Sequence, residues 1–266
     1  MTLKHVLITG ATGAIGGALA LEYAQPGRTL TLHGRRMDRL EQVAGECRAK
    51  GACVHVRSLE LRDRQALRLW LAEVCAESVP DLVIVNAGII TTIGAGNEGE
   101  KPEDAEALVE VNLLAAMATV DGVVSHMRAR GSGQIALVSS LAGYFGLPVM
   151  PTYCATKAAL KSYGDALRGW LAREGVRINV VMPGFVESPL CDAVLGPKFF
   201  KWTPPKAARA IRQGLERDRA RISFPFPLNL GMWGLSALPA CLAIPIARWF
   251  GYGPRPGRGR RGGHDG

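Results

Sequence analysis

Short apolar runs alternate with longer amphipathic runs over most of the 266 residues. The short runs have the length and composition of buried strands, and the runs between them have the length of helices. Alternation of this kind is typical of a parallel sheet with helices on both faces, and 48% hydrophobic residues suffice for one core. We therefore predict one α/β domain over residues 1–224, with a doubly wound, mainly parallel sheet of seven strands near residues 3–9, 28–33, 53–58, 81–86, 133–139, 176–182 and 221–224.

A glycine-rich turn follows the first predicted strand directly. Residues 9–16, TGATGAIG, connect this strand to an apolar helix. Glycines let a backbone approach phosphate groups, and the amino end of a helix offers free N–H groups and a positive dipole. The turn therefore indicates a site for a dinucleotide pyrophosphate. Its spacing departs from G-x-G-x-x-G, so a plain tight turn is the alternative.

Tyr153 and Lys157 are one helical turn apart, and Ser140 precedes them behind the fifth predicted strand. A free tyrosine has a pKa of about 10, and an ammonium group at i+4 lies on the same helix face and favours the phenolate. Ser140 can hold a carbonyl oxygen beside the tyrosine hydroxyl. These groups predict proton transfer at a carbonyl. The spacing of Tyr153 and Lys157 alone also fits a solvated surface pair.

The glycine turn is the first of several motifs that occur in order along the chain, followed by Asn86-Ala87-Gly88, Asn112, Ser140, Tyr153 with Lys157, and Pro183-Gly184. This ordered set resembles the classical short-chain dehydrogenase/reductase family, over residues 3 to about 224. Ala14 stands at the middle glycine of the family's turn, which is a mild departure. The resemblance implies a Rossmann-like fold and hydride transfer between a nicotinamide cofactor and a carbonyl or secondary alcohol.

The resemblance also implies a role for each site residue. In the reduction direction Tyr153 donates the proton, Ser140 polarises the carbonyl oxygen, and Lys157 lowers the pKa of Tyr153 and holds the ribose. Asn112, inside a predicted helix at about 103–130, completes a proton relay. The implied cofactor contacts come from the glycine turn, the ends of the later strands and the two catalytic helix residues: Gly10, Thr12, Gly13, Ile15, Gly16, Arg35, Arg36, Glu60, Leu61, Asn86, Ala87, Gly88, Tyr153, Lys157, Pro183, Gly184, Val186 and Ser188.

The residues after the second predicted strand indicate which nicotinamide cofactor binds. An acidic side chain there would hydrogen-bond the ribose of NAD and repel a 2′-phosphate. The chain has Gly34 instead, followed by Arg35 and Arg36, whose guanidinium groups suit a phosphate. Thr12 could add a hydroxyl contact, and Glu60 stands where the family often has an aspartate facing adenine. We predict NADP(H); arginines that only cap a loop, with NAD(H) as cofactor, are the alternative.

Two other functions are compatible with the sequence: an NAD-linked alcohol dehydrogenase of the same fold, and a non-catalytic dinucleotide-binding scaffold. The scaffold hypothesis requires the four catalytic residues to be vestigial. We predict neither a metal site nor a disulfide framework, because the six cysteines never form Cys-x-x-Cys and no histidine pair has ligand spacing. The histidines within or beside apolar runs are interpreted as structural: His5, His33, His55 and His126.

Residues 225–252 differ most from the family pattern, since they contain no charged side chain before Arg248. A continuous helix of this length could cross a bilayer, but prolines interrupt it at positions 225, 227, 239 and 245. We expect broken apolar helices. They could cover the substrate pocket, form a subunit interface or lie in a membrane interface, where Arg248, Trp249 and Tyr252 are typical anchors.

The tail, residues 253–266, is rich in glycine and arginine. From residue 248 onward five arginines stand against Asp265, a net +4 of the chain's +9. By its composition we expect such a tail to be disordered and attracted to anionic surfaces, whereas aromatic residues suited to nucleic acid are missing after Tyr252. We predict peripheral membrane contact through residues 225–266 and no nucleic-acid partner. A tail that only aids solubility is the alternative.

The first residues lack the charged and then apolar segments of a secretory signal. We therefore expect a cytoplasmic location, with peripheral attachment to the cytoplasmic membrane face as the further hypothesis. The expected partners are a hydrophobic carbonyl or alcohol substrate, under an apolar lid at about 188–218, and further copies of the chain in a homodimer or homotetramer.

Overall fold

The computed structural model describes residues 3–253, and seven strands in this range form one parallel sheet. The strand order is β3-β2-β1-β4-β5-β6-β7. Each strand lies within about two residues of its predicted position, because each is a short, buried apolar run. The strands are β1 His5–Ile8, β2 Thr29–His33, β3 Cys53–Arg57, β4 Leu82–Val85, β5 Gly133–Val138, β6 Val176–Pro183 and β7 Arg221–Phe224.

Helices connect the strands and cover both faces of the sheet. They are α1 Ala14–Tyr23, α2 Met37–Ala49, α3 Arg64–Glu77, α4 Pro102–Val109, α5 Ala115–Arg130, α6 Pro151–Leu171, α7 Pro189–Asp192, α8 Pro204–Glu216, α9 Leu228–Ala237 and α10 Ala240–Ala247. Three short irregular helices complete the set: a π-helical segment Glu110–Leu114 between α4 and α5, a 3₁₀ turn Leu141–Gly143, and a π-helical segment Arg248–Tyr252 after α10.

Successive side chains of each strand enter opposite cores, as the two-residue period of a strand requires. In β1, Val6 and Ile8 pack with α1, α2 and α8, whereas Leu7 packs with α3, α5 and α6. All three side chains are fully buried. Since both faces are covered, the strands read as continuous apolar runs instead of alternating ones.

The predicted lid of residues 188–218 has two parts with different surroundings. Its second part is α8, whose apolar face is buried in the core against α1: Ala207, Ala208, Ile211 and Leu215. Helix α8 is therefore a layer of the fold and does not cover the site. The first part, with α7, lies at the carboxyl ends of the strands.

Among the described residues one helix, Pro102–Arg130, is long and apolar enough to cross a membrane by length and composition. Half of its most apolar window is buried inside the fold. Its α5 part packs on β4, β5 and α3, as expected of a core helix.

The chain winds outward from β1 to β3 on one side and from β4 to β7 on the other. The direction of winding therefore reverses between β1 and β4. Loops that leave neighbouring strands at such a point diverge to opposite faces, which opens a crevice at the carboxyl ends of the strands. The glycine turn follows β1, and Asn86-Ala87-Gly88 follows β4, so both border this crevice.

The predicted broken apolar helices after β7 are α9 and α10. Helix α9 ends before Pro239, as expected, but Pro245 lies inside α10. Proline has no N–H to donate to the carbonyl four residues earlier. That carbonyl belongs to Cys241, an exposed residue. Arg255, Arg258, Arg260 and Arg261 of the predicted basic tail lie outside the described residues.

Candidate active site

The glycine turn depends on close backbone contacts that larger residues would prevent. Gly10 has φ +70°, and a Cβ atom there would lie 2.7 Å from Cα of Ala87. A Cβ at Gly16 would lie 2.2 Å from the carbonyl oxygen of Gly10. These distances are too short for a side chain, so both glycines are required to bring the turn against the end of β4 and leave its N–H groups open.

Asn86 fixes the turn after β1 to the end of β4. Its side-chain amide donates to the carbonyl oxygens of Thr9 and Gly10, both at 3.1 Å. In return the Thr9 hydroxyl accepts from the backbone N–H of Asn86 at 3.0 Å and of Ala87 at 3.2 Å. Two loops that are far apart in sequence are thereby held as one wall of the crevice.

His33, at the end of β2, supports the same turn. Its Nε2 donates to the carbonyl oxygen of Leu59 at 3.0 Å, which leaves Nδ1 free to accept from the backbone N–H of Gly10 at 3.4 Å. Burial lowers the pKa of His33, which favours the neutral ring that this arrangement needs. His33 therefore has a structural role that the sequence did not indicate, which is to support the glycine turn.

Asn112 lies in the π-helical segment between α4 and α5 and is fully buried. Its Oδ1 accepts from the backbone N–H of Ile89 at 2.8 Å, and its Nδ2 donates to the Ile89 carbonyl at 2.9 Å. A third, longer contact of 3.5 Å, also from Nδ2, reaches the hydroxyl of Thr156 on α6. Through these hydrogen bonds Asn112 joins the π-helical segment, whose turn is wider than that of an α-helix, to the loop after β4 and to α6, the helix that contains Tyr153 and Lys157.

Ser140, Tyr153 and Lys157 come together at the end of β5. Ser140 begins the 3₁₀ turn, where its hydroxyl accepts from the N–H of Ala142 at 3.1 Å, and it also hydrogen-bonds Tyr153. Lys157 Nζ lies 5.6 Å from the centre of the Tyr153 ring and donates to the carbonyl of Val138 at 3.0 Å. The three side chains that the sequence predicts as a unit are therefore one cluster.

Burial governs the protonation of this cluster. It raises the pKa of Tyr153 to about 12, although the hydrogen bond from Ser140 opposes this shift. It also lowers the pKa of Lys157 to about 8. The sequence predicts the opposite direction for Tyr153. The difference arises because the loss of water around the phenol, which i,i+4 spacing cannot reveal, disfavours the phenolate.

The loop after β2 places Arg35 at the far end of the crevice. A Cβ at Gly34 would lie 2.5 Å from the Thr12 methyl group, so Thr12 fills the space where an acidic side chain would begin. Arg35 is exposed, and its Nη1 lies 3.6 Å from Oε2 of Glu60. Glu60 also contacts Arg62, at 3.8 Å. Its carboxylate is therefore directed to arginines.

One cavity of about 590 Å³ joins these groups. The predicted site residues line it, apart from Gly16 and Asn112, which lie behind its wall. Gly16 is held against the Gly10 carbonyl, and Asn112 acts through Ile89. The cavity extends from Arg35 and the glycine turn, past Tyr153 and Lys157, to residues of α9.

The far end of the cavity is apolar and was not predicted residue by residue. It is formed by Leu141, Leu147, Met150, Phe185, Leu228, Met232 and Tyr252. Tyr252 is buried, stacks on Phe185 with 6.5 Å between ring centres, and donates to the carbonyl of Pro197 at 2.6 Å. The sequence suggested a membrane anchor at this position. In the structure Tyr252 is a wall of the cavity instead, because the turn at Gly251 directs it inward.

Comparisons with known proteins agree with this geometry. The family model described as short chain dehydrogenase matches residues 4–195. An uncharacterized oxidoreductase of Mycobacterium tuberculosis is 33% identical over 243 residues, which cover 88% of this chain and 95% of the relative.

Two solved structures are similar in fold. An alcohol dehydrogenase from the archaeon Thermococcus sibiricus, complexed with 5-hydroxy-NADP, is 26% identical with a TM-score of 0.71, covering 83% of this chain and 94% of that one. A short-chain dehydrogenase from Sphingobium yanoikuyae in complex with NADPH is 24% identical with a TM-score of 0.76, covering 90% of this chain and 97% of that one. The chain belongs to the short-chain dehydrogenase/reductase family of oxidoreductases.

Proposed function

We propose that the protein transfers a hydride between NADP(H) and a carbonyl or secondary alcohol of a hydrophobic substrate. The observation that supports this most strongly is the continuity of one cavity, with the glycine turn and Arg35 at one end and apolar side chains at the other. Ser140, Tyr153 and Lys157 lie between the two ends. A dinucleotide and an apolar substrate would therefore meet at the proton-transfer groups.

The residues present fit a phosphorylated dinucleotide. The glycine turn leads into α1, and no side chain caps the first N–H groups of this helix. Free N–H groups at a helix amino end suit a pyrophosphate. Gly34 offers no carboxylate, and Arg35 is exposed beside it, which suits a 2′-phosphate. The Thermococcus sibiricus relative is complexed with 5-hydroxy-NADP. When bound, NADPH supplies the hydride.

In the reduction direction Tyr153 donates its hydroxyl proton to the substrate oxygen as negative charge develops there. Its raised pKa keeps the phenol protonated at neutral pH, and an alkoxide is a stronger base than a phenolate, so the proton moves downhill. Ser140 donates a hydrogen bond to the same oxygen. Lys157, buried below the tyrosine, provides positive charge and holds the ribose hydroxyls.

The proton that Tyr153 gives up has to be replaced. Lys157 Nζ lies 5.6 Å from the centre of the Tyr153 ring, and its pKa of about 8 lets it exchange protons near neutral pH. Asn112 holds the Ile89 backbone beside this lysine. In the proposed relay Asn112 and the backbone of Ile89 order a water that connects Lys157 to solvent.

The apolar end of the cavity defines the class of substrate. Its walls are aliphatic and aromatic, and the Tyr252 hydroxyl is bonded to the Pro197 carbonyl and does not point to a ligand. A substrate with a hydrocarbon body next to its carbonyl buries that body here, whereas a polar sugar or acid would lose its water without new partners.

Replacement of Tyr153 by phenylalanine tests this proposal. The change removes the proton donor and keeps the ring, so turnover of a hydrophobic ketone with NADPH should fall by roughly 10²–10⁴-fold. NADPH affinity, measured by calorimetry, should stay within a few fold of the wild-type value.

A Tyr163→Phe variant is the matched control, because Tyr163 lies on the same helix nearly three turns further along and outside the cavity. Turnover in this control should be unchanged. Near wild-type turnover in Tyr153→Phe would refute the mechanism. If the wild-type protein binds NADPH or NADH but turns over no ketone or alcohol, the chain is instead the non-catalytic scaffold that the sequence left open. Tighter binding of NADH than of NADPH favours the NAD-linked alternative, and binding of neither cofactor would refute the proposal.

We also propose a location in contact with the cytosol, where NADPH is available, and assembly as a homodimer or homotetramer. The assembly is checked by light scattering of the full-length protein after size exclusion. A monomer at micromolar concentration would refute it.

A further inference from the structure

The C-terminal segment has an inner and an outer side. Helix α9 directs Leu228, Met232 and Leu235 towards the cavity region, at the i, i+4 and i+7 spacing of one helix face. Leu230 and Trp233 lie on the opposite face and are exposed. In α10 the buried residues are Ala243 and Ala247. The inner side completes the fold, whereas the outer side stays largely exposed among the described residues.

The outer side is apolar over its whole length, and we refer to it as the C-terminal surface. It comprises Phe226, Leu230, Trp233, Leu238, Leu242, Ile244, Trp249 and Phe250, with Phe226 75% and Trp249 81% exposed. The exposed face of a helix in water normally has charged residues, but the sequence from 222 to 247 has none. An exposed apolar area of this extent indicates an interaction site.

Aromatic contacts extend this surface to the loop after α7. The ring of Phe250 packs against Trp249 at 4.9 Å and against Phe199 at 6.2 Å between centres. Phe199 and its neighbour Phe200 are themselves exposed. Aromatic side chains are enriched where a protein meets the boundary between lipid and water. The C-terminal surface thus has an aromatic border beside Arg248.

Positive charge begins at the edge of the same surface. The described chain reaches Gly253, four residues after Trp249, and residues 254–266 contain four arginines and one aspartate. The described chain therefore ends beside the C-terminal surface, at the point where this basic sequence begins. Anionic lipid offers both an apolar layer and negative charge at its boundary, which is the combination that the surface and the arginines require.

A second copy of the chain fits these features less well. Most contacts between identical subunits pair the same surface of each copy around a twofold axis. Two C-terminal surfaces in contact would bring the exposed Arg248 side chains of both copies to one interface, where like charges repel. Lipid of opposite charge has no such cost.

We propose that α9, α10 and the Arg248–Tyr252 segment dock the protein on an anionic membrane as a monotopic surface, with the exposed apolar side chains in the interface and the net positive charge of residues 248–266 attracted to the lipid headgroups. The cavity then lies directly behind the docked helices, since Leu228, Met232 and Tyr252 of the same segment line it. Docking is independent of the reaction, so it is measured without substrate or cofactor.

Vesicle flotation with full-length protein tests the proposal. The protein should float with phosphatidylcholine vesicles that contain roughly one third phosphatidylglycerol, and much less with phosphatidylcholine alone. Raising the ionic strength from about 0.1 M to about 0.5 M should weaken binding severalfold, because salt screens the arginines. Trp249→Glu and Trp233→Glu should each lower the bound fraction by about tenfold.

Trp170→Glu is the matched control, because Trp170 is also exposed, at 58%, but lies on α6 outside the C-terminal surface. It should bind like the wild type. Removal of residues 254–266 should abolish the preference for anionic vesicles, and circular dichroism should show each variant to be folded. Failure of folded full-length protein to float, or equal loss in Trp170→Glu, overturns the proposal. A dimer that ignores vesicles and dissociates in Trp249→Glu would assign the surface to a second copy instead.

Discussion

The Arg35 guanidinium lies 3.6 Å from the Glu60 carboxylate, and both side chains are substantially exposed at the end of the cavity that the glycine turn borders. An exposed ion pair of this kind contributes little to stability. Its importance is local, because Glu60 attracts the same guanidinium that we propose for the 2′-phosphate of NADP(H). The two residues therefore have opposite effects on the choice of cofactor.

Arg35→Ala should weaken NADPH binding far more than NADH binding. A charge-assisted contact to phosphate contributes about 1.5–3 kcal/mol, or roughly 10–150-fold in Kd, and NADH has no group to use it. Glu60→Gln should have the opposite effect on NADPH affinity and strengthen binding severalfold, since it removes a negative charge near the proposed position of the 2′-phosphate. Calorimetric titration with both cofactors measures each effect. Equal losses for NADPH and NADH in Arg35→Ala would show that Arg35 has only a structural role.

Lys157→Met should stabilise the protein in the absence of cofactor at neutral pH. Burial lowers the pKa of Lys157 from 10.5 to about 8, so the folded state bears a penalty on the order of 3 kcal/mol below pH 8. Between about pH 8 and 10.5 the unfolded chain binds more protons at this residue, and the free energy of unfolding rises with pH. Methionine removes the charge but also the hydrogen bond to the Val138 carbonyl. We therefore expect the free energy of unfolding at pH 7 to increase by about 1–2 kcal/mol, and to rise less between pH 8 and 10.5 than in the wild type.

Urea unfolding at pH 7 and pH 10 measures both effects. Lys50→Met is the control, because Lys50 is exposed and also donates to a backbone carbonyl, that of Leu21 at 2.9 Å. Its free energy of unfolding at pH 7 should stay within about 1 kcal/mol of the wild-type value. A loss of stability at pH 7 in Lys157→Met would contradict the assignment of a buried, unfavourable charge.

Asn112→Ala should destabilise the fold and reduce turnover together. The change leaves the N–H and the carbonyl of Ile89 without their side-chain partner, which costs about 2–3 kcal/mol of unfolding free energy. The loop after β4 then loses its fixed position beside Lys157. Thr119→Val on α5 is the control, because its hydroxyl bonds only the carbonyl of Ala115 within the same helix. If Thr119→Val lowers turnover as much, the effect is not specific to Asn112.

Tyr252→Ala should raise KM for hydrophobic ketones. It removes the ring that stacks on Phe185 and opens the apolar end of the cavity, so we expect a rise of roughly tenfold with a smaller change in kcat. Tyr252→Phe keeps the ring and loses the bond to Pro197, so its KM should rise by no more than a few fold. Steady-state kinetics with ketones of graded chain length separates the two. An unchanged KM in Tyr252→Ala would place the substrate elsewhere.

Features that depend on neighbours in sequence could be predicted. The strands are short apolar runs, the glycine turn joins β1 to α1, and Tyr153 and Lys157 share a helix face because they are four residues apart. The interruption of the C-terminal helices before Pro239 also followed from a local rule, the missing N–H of proline. The family resemblance added the order of the motifs, and the family itself is confirmed by the match over residues 4–195.

Features that depend on burial or on distant partners required the fold. Burial of the phenol, and not the spacing to Lys157, decides the direction of the pKa shift of Tyr153. The partner of Asn112 is Ile89, 23 residues earlier in sequence, and the partner of Tyr252 is Pro197, 55 residues earlier. Helix α8 looked like part of a lid, but the sheet places its apolar face in the core against α1.

The sequence alone thus determined the elements, the order of the motifs and the chemistry of the individual groups, because these are properties of residues and of their near neighbours in the chain. Tertiary structure decided which side chains meet, how much water each retains and which face of an apolar segment stays exposed. Residues 225–252 illustrate this division. Their composition showed that the segment is apolar, but only the packing showed that Met232 and Tyr252 form the inner wall of the cavity and that Trp233 and Trp249 lie on the exposed outer surface.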